Sequence, residues 1–255
     1  MKSPLKNVSF KNYCLSHLKK LIPRGSKIDS FFFFSGALEL SLCRYERFIH
    51  SYCSLPHVYE FWKCVEHDAP LIHKIVTSDS FKFEDALSFS ILQEHWHAYQ
   101  DEFVRAALFF LLHRCSSTGM ISSGKLSLEN YNLHALNNLK TFKMPDYFHL
   151  SFLPREQIST FFDTKNKDRF ILLPIGDFGY NFLEYGKSQA KDILPIDHKE
   201  IRRTMLNSNS QIVALYNYRP DAVNFFKDLN IHYISRTGET TKNNQEVAEI
   251  VVTNF

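Results

Sequence analysis

Apolar positions recur along this chain with two periods, and the alternation between them lays out its elements. Leu15, Leu18, Leu21 and Ile22 fall at helical spacing and stop at Pro23-Arg24-Gly25, which predicts a helix over 12–21. Lys27 to Phe33 is a short β-rich run, and Ser35-Gly36-Ala37 turns it into a second helix, Leu38 to Arg44. Arg47 to Tyr52 reads as a strand and Pro56 to Val65 as a helix. From Ala69 to Arg114 the pattern stays helical, most strongly over Glu102 to Leu112, where Phe103, Ala106, Ala107, Phe110 and Leu111 share a face. Ser116 to Asn132 is rich in Ser, Gly and Asn and predicts a hairpin or long loop.

Strand signals return at Tyr147 to Phe152, Phe170 to Leu173, Gln211 to Tyr216, His232 to Ser235 and Glu249 to Phe255. Helical stretches lie between them, over 155–162, 198–206 and 221–230, and 237–246 is a polar loop. Strands alternating with helices predict an α/β fold with a mainly parallel sheet covered on both faces. The helical and polar block interrupts that alternation. One α/β core is therefore expected from 1–65 and 135–255, with a helical insertion at 66–134.

Composition narrows the class. The chain has 255 residues, 44% hydrophobic and 22% charged, which excludes disordered and collagen-like classes and leaves room for one large core. Five Cys, an odd number without a framework pattern, fit reduced thiols in a cytoplasmic setting. Cys53, His57, Cys64 and His67 are spaced more tightly than zinc modules, so no metal is expected. The longest apolar run, Ile28 to Leu42, is broken by Asp29, Ser30, Ser35 and Glu39, and no membrane span or signal peptide is expected. Dinucleotide, phosphate-loop and zinc-protease motifs are missing. A net charge of +3 permits nucleic-acid binding without pointing to it.

Four blocks, in order, change the picture. They are Leu15-x2-Leu18-x2-Leu21-Ile22-Pro23, Phe32-Phe33-Phe34-Ser35-Gly36-Ala37-Leu38, Arg105 to Cys115 with Gly119 after it, and Glu249 to Phe255. Together they resemble the Dam-type (D12 class) DNA adenine-N6 methyltransferases. The resemblance implies a Rossmann-like S-adenosylmethionine-dependent methyltransferase fold, with the insertion serving as a target-recognition element. It also implies a cofactor loop at Phe32, Ser35, Gly36 and Ala37, and DNA contacts from Arg114, Ser116, Ser117 and Lys125. Lys125, Arg202, Arg203, Arg219, Arg236 and Lys242 are candidate phosphate contacts.

The departures gather at one pocket. Pro174-Ile175-Gly176-Asp177 stands where the family has its catalytic Asp-Pro-Pro-Tyr, whose polar groups hold the adenine amine and whose aromatic stacks on a flipped base. Phe34 replaces a loop glycine, Lys11-Asn12-Tyr13 replaces Gly-Gly-Lys, and His50-Ser51-Tyr52 stands where an acidic residue would hold the ribose. The expectation is a pseudoenzyme that binds no cofactor and partners double-stranded DNA, an active methyltransferase subunit, or both. Two alternatives stay open. One is an active adenine-N6 methyltransferase using Asp177 and Phe178 with S-adenosylmethionine, and the other an interaction protein that never touches DNA.

Overall fold

The computed structural model describes residues 2–7, 11–81, 85–121, 124–154, 158, 168–179 and 196–255. Seven strands form one sheet: β1 (Lys27–Ser30), β2 (Phe48–Cys53), β3 (Phe148–Phe152), β4 (Arg169–Gly176), β5 (Gln211–Asn217), β6 (Asn230–Ser235) and β7 (Val247–Thr253). Their order is β3-β2-β1-β4-β5-β7-β6. Neighbours from β3 to β5 pair in parallel, while β7 runs antiparallel to both β5 and β6. The chain winds outward from β1 to β3, then returns to β4 beside β1 and winds the other way. That reversal is the topological switch point, where doubly wound sheets open a ligand crevice beyond the carboxyl ends of the strands.

Alternate strand residues feed two cores, as period-2 geometry requires of a sheet covered on both faces. Ile28, Ile49, Leu150, Leu172, Val213 and Val251 belong to one core. It also takes residues of α1 (Leu15–Leu21), α2 (Ala37–Cys43), α3 (Pro56–Val76), α5 (Glu102–Cys115) and α6 (Leu133–Lys140). Ile171, Leu173, Ile212, Ala214, Ile250 and Val252 face the other, which takes residues of α7 (His198–Asn207) and α8 (Pro220–Phe225).

The expected division at 65/66 falls inside α3, and the helical break comes three residues later. Asp68 has non-helical angles (φ −154°, ψ 79°), Pro70 follows, and the Asp68 carboxylate caps the Leu71 N–H at 2.9 Å. The insertion shares the main core: Ala106 to His113 are buried in succession, because α5 lies against α3 rather than showing one face to water. Between them sits α4 (Ala86–His95).

Three other expectations shift. The strand at Phe170 runs on through Pro174 to Gly176, with a register irregularity at Pro174 that accommodates the missing N–H. Helix α6 occupies sequence with no assigned element, capped by the Asn132 side chain at Ala135 N–H. The helix expected over 221–230 ends at Phe225, since β6 begins at Asn230. The helix expected over 155–162 lies, apart from Ile158, outside the described residues. All five cysteines are buried and unpaired. Among the described residues no helix is long and apolar enough to cross a membrane.

Two buried charges fix the chain entering the sheet. Glu249, on β7, accepts the Lys11 N–H at 2.9 Å and the Cys14 N–H at 2.8 Å, anchoring the start of α1. Arg47, 2% exposed, spreads its guanidinium over carbonyls at the end of α1: Nε donates to Ile22 at 3.1 Å and Nη2 to Lys19 at 2.8 Å. Its positive charge complements that helix's carboxyl end. Arg47→Met keeps the stem but strips several buried carbonyls of their donors. It is expected to lower unfolding free energy by about 2–4 kcal/mol in urea denaturation; an unchanged midpoint would remove Arg47 from this role.

Candidate functional site: the switch-point crevice

The crevice between β1 and β4 is where such a fold places a ligand, and here described residues of the chain itself occupy it. After β1 come four phenylalanines that point in different directions. Phe31 stacks on Tyr52 at 4.9 Å on one side, and Phe33 packs on Trp62 at 5.4 Å and Phe148 at 5.5 Å on the other. Phe32 adopts φ 59°, a left-handed conformation that costs a β-carbon residue roughly 1–2 kcal/mol. Phe34 leans toward Phe109 and His113, with its carbonyl accepting the Trp62 Nε1–H at 2.8 Å.

Phe32, Phe34, Ser35, Gly36, Leu38, Glu39, Pro174 and Asn7 line a half-open cavity of about 20 Å³. That is room for roughly one water, whereas ligand pockets run to roughly 300–1,000 Å³. Glu39, buried and hydrogen-bonded by Ser30 Oγ at 3.0 Å, has its carboxyl pKa raised by burial. Gly36 is needed for two local reasons: it caps α2 at φ 64°, and a Cβ there would meet the Phe33 ring at 2.9 Å. Larger cavities lie elsewhere. One of about 570 Å³ runs along His17, Lys20 and Glu239, and one of about 230 Å³ lies between Val76, Phe81, Leu111 and Leu128.

Residues 3–7 close the crevice from outside. Ser3 Oγ donates to the Ser35 carbonyl, and the Lys6 N–H donates to His113 Nε2 at 2.8 Å. Arg114 Nε donates to the Pro4 carbonyl at 2.9 Å, and Leu5 is buried in the main core. The expected cofactor loop thus does lie at the crevice, but it contributes rings and a cap rather than a cradle. The position following β2 is Ser54, because the strand runs to Cys53; His50 is bonded across to Ser151 at 2.8 Å and to Tyr52 at 3.1 Å. A single hydroxyl there does not match the paired acceptors of a carboxylate. Among the described residues, the lining does not form the glycine loop and ribose-holding carboxylate that the resemblance implies for S-adenosylmethionine.

The alternative catalytic pair is placed at the end of β4 but is engaged. Asp177 Oδ1 accepts the Gly179 N–H at 2.7 Å and lies 3.3 Å from Arg219 Nη1. The Phe178 ring sits 4.5 Å from His198 and 5.5 Å from Phe225, so part of its stacking surface is already covered. Arg219 and His198, neither expected here, were invisible to spacing because α7 and α8 bring them in from a distance.

Of the four expected DNA contacts, two face outward. Ser117 and Lys125 are exposed and joined backbone to backbone at 2.9 Å. Ser116 is buried against Thr118 at 3.1 Å, because Gly124 folds so closely onto it that a Cβ would lie 1.5 Å from its hydroxyl. Arg114 turns inward to Pro4. Among the candidate phosphate contacts, Arg202 pairs with Asp228, Arg203 with Glu200 at 2.8 Å and Arg219 with Asp177, while Arg236 and Lys242 are exposed. The four candidate zinc ligands point apart: Cys53 donates to the Leu55 carbonyl, Cys64 to that of Glu102, His57 packs on Trp96 and His67 on Phe103.

These features define a class: a doubly wound α/β protein in which, among the described residues, side chains of its own occupy the switch-point crevice. No family model matches the chain, and no curated protein matches it.

His113 links this closure to pH. Full burial, and then the neighbouring Arg114 charge, push its pKa down to about 3. The neutral ring accepts the Lys6 N–H, so its contribution to stability is complete above the unfolded pKa of roughly 6.5 and is lost as pH falls toward about 3. His113→Gln keeps an acceptor without titrating. Its unfolding free energy is expected to vary less between pH 6.5 and 5 than the parent's, by up to about 1.4 kcal/mol per pH unit. Parallel pH profiles in urea would show that His113 carries no such linkage.

Proposed function

We propose that this chain is a methyltransferase-like pseudoenzyme that works by recognition, of DNA or of an active methyltransferase subunit, and transfers no methyl group itself. The observation that carries the reading is the closed crevice. The strand order is compatible with the Rossmann-like core that the resemblance implies, and in that measure supports the methyltransferase part. The end of β4 supports the loss of chemistry: Pro174 and Ile175 stay buried within the strand, and Asp177 Oδ1 is shared between the Gly179 N–H and the Arg219 guanidinium, so that oxygen is not open to an adenine amine.

DNA recognition rests on the exposed pair Ser117 and Lys125 at the hairpin that follows α5. Recognition of protein without DNA is favoured by a different observation, the pairing of Arg202, Arg203 and Arg219 with carboxylates, which leaves less positive charge for phosphates. A cytoplasmic site of action, among reduced thiols, belongs to the same reading.

Methyl incorporation into duplex DNA from labelled S-adenosylmethionine is expected to stay at background for the parent and for Asp177→Ala alike. Incorporation that Asp177→Ala abolishes would establish the active enzyme instead. A gel shift at low salt separates the two recognition readings, with retardation expected if Ser117 and Lys125 meet DNA and none if the partner is protein alone.

A further inference from the structure

The segment over the crevice is held by its main chain, and one of its anchors is chemically mismatched. The Pro4 carbonyl, the Lys6 N–H and a Ser3 hydroxyl reaching Ser35 make the bonds, while Leu5 supplies an apolar plug. Beneath it, the Arg114 guanidinium puts both Nε and Nη2 on the single Pro4 oxygen. That fork is shaped for two oxygens of a phosphate or carboxylate, and buried charges are ordinarily paired. Among the described residues no carboxylate lies within ion-pair distance of Arg114; burial pushes its pKa down to about 10 with no acidic group opposing the shift. The exposed pair Ser117 and Lys125 follows directly beyond the end of α5.

We propose that residues 3–7 form an autoinhibitory strap, in which the Pro4 carbonyl stands in for a phosphate oxygen at Arg114, and that its release uncovers a DNA-backbone site running from Arg114 to Ser117 and Lys125. The strap stands on the contacts alone, whereas the choice of DNA rests on the recognition reading above. A phosphate exchanges a neutral acceptor for a charged, bidentate one, so Arg114 gains when strap gives way to ligand. By linkage, DNA that needs Arg114 free favours the released strap.

Leu5→Asp places a charge where the core admits none and ejects the strap, and Leu5→Ala loosens it more gently where the stronger change threatens folding. Trypsin cleavage after Lys6 reports release independently of any ligand. Fluorescence anisotropy with a short duplex is expected to show about tenfold tighter binding by Leu5→Asp than by the parent, since the competent state is no longer a minor one. The log-log salt dependence should steepen by about 0.9 for each phosphate gained. Adding Arg114→Met should return both to parental values. Rapid cleavage after Lys6 with no gain in affinity, or a gain that survives Arg114→Met, would overturn the proposal. A gain for inorganic polyphosphate through Arg114, with none for duplex DNA, would uphold the strap and its anion site and sink the DNA reading.

Discussion

How the chain leaves β1 decides what the rest of the molecule can be. A doubly wound sheet opens at its switch point, and the loop after the first strand either lines that opening for a ligand or fills it. Here Phe31 and Phe33 turn to opposite faces of the sheet, which forces Phe32 into a left-handed turn and aims Phe32 and Phe34 at the opening. The strain, roughly 1–2 kcal/mol, is offset by burying large rings at about 1.5–3 kcal/mol each. A strained backbone persists where its surroundings over-determine it, and the two flanking rings do so.

The amino-terminal segment depends on the same packing and is held unevenly. At its inner end Glu249 and Arg47 make charge-assisted bonds to main chain, binding α1 and the residues before it to β7 and to the residue that precedes β2. At its outer end residues 3–7 have a few hydrogen bonds and one buried leucine. Those outer contacts sum to a few kcal/mol by ordinary magnitudes, below the roughly 5–15 kcal/mol that hold a whole domain. Local opening of the outer end is therefore accessible without unfolding. The uneven anchoring gives a chain with a fixed core and a releasable cover.

Much of the fold was legible because parallel strands buried on both faces announce themselves as short apolar runs; β1, β2, β3, β5 and β7 fall where such runs do. What could not be read depended on contacts between distant residues. Arg114 looks outward by composition, at the end of a basic-tipped helix, and is turned inward by a carbonyl 110 positions earlier in the chain. Ser116 is buried by the folding of Gly124 onto it, and Arg202 is neutralised by Asp228 from beyond the next strand. Pro174 argued for the end of a strand that instead tolerates it through a bulge. The crevice itself was better signalled, since Phe34 in place of a small residue says that space is occupied. The strap was not signalled at all, because its bonds are made by backbone.

Calorimetric titration of the purified chain with S-adenosylmethionine tests the closed crevice most directly, since a cofactor of that size enters only if Phe32 and Phe34 move aside. No saturable heat is expected. Binding in the micromolar range would contradict this, showing a working pocket where the structure places aromatic rings.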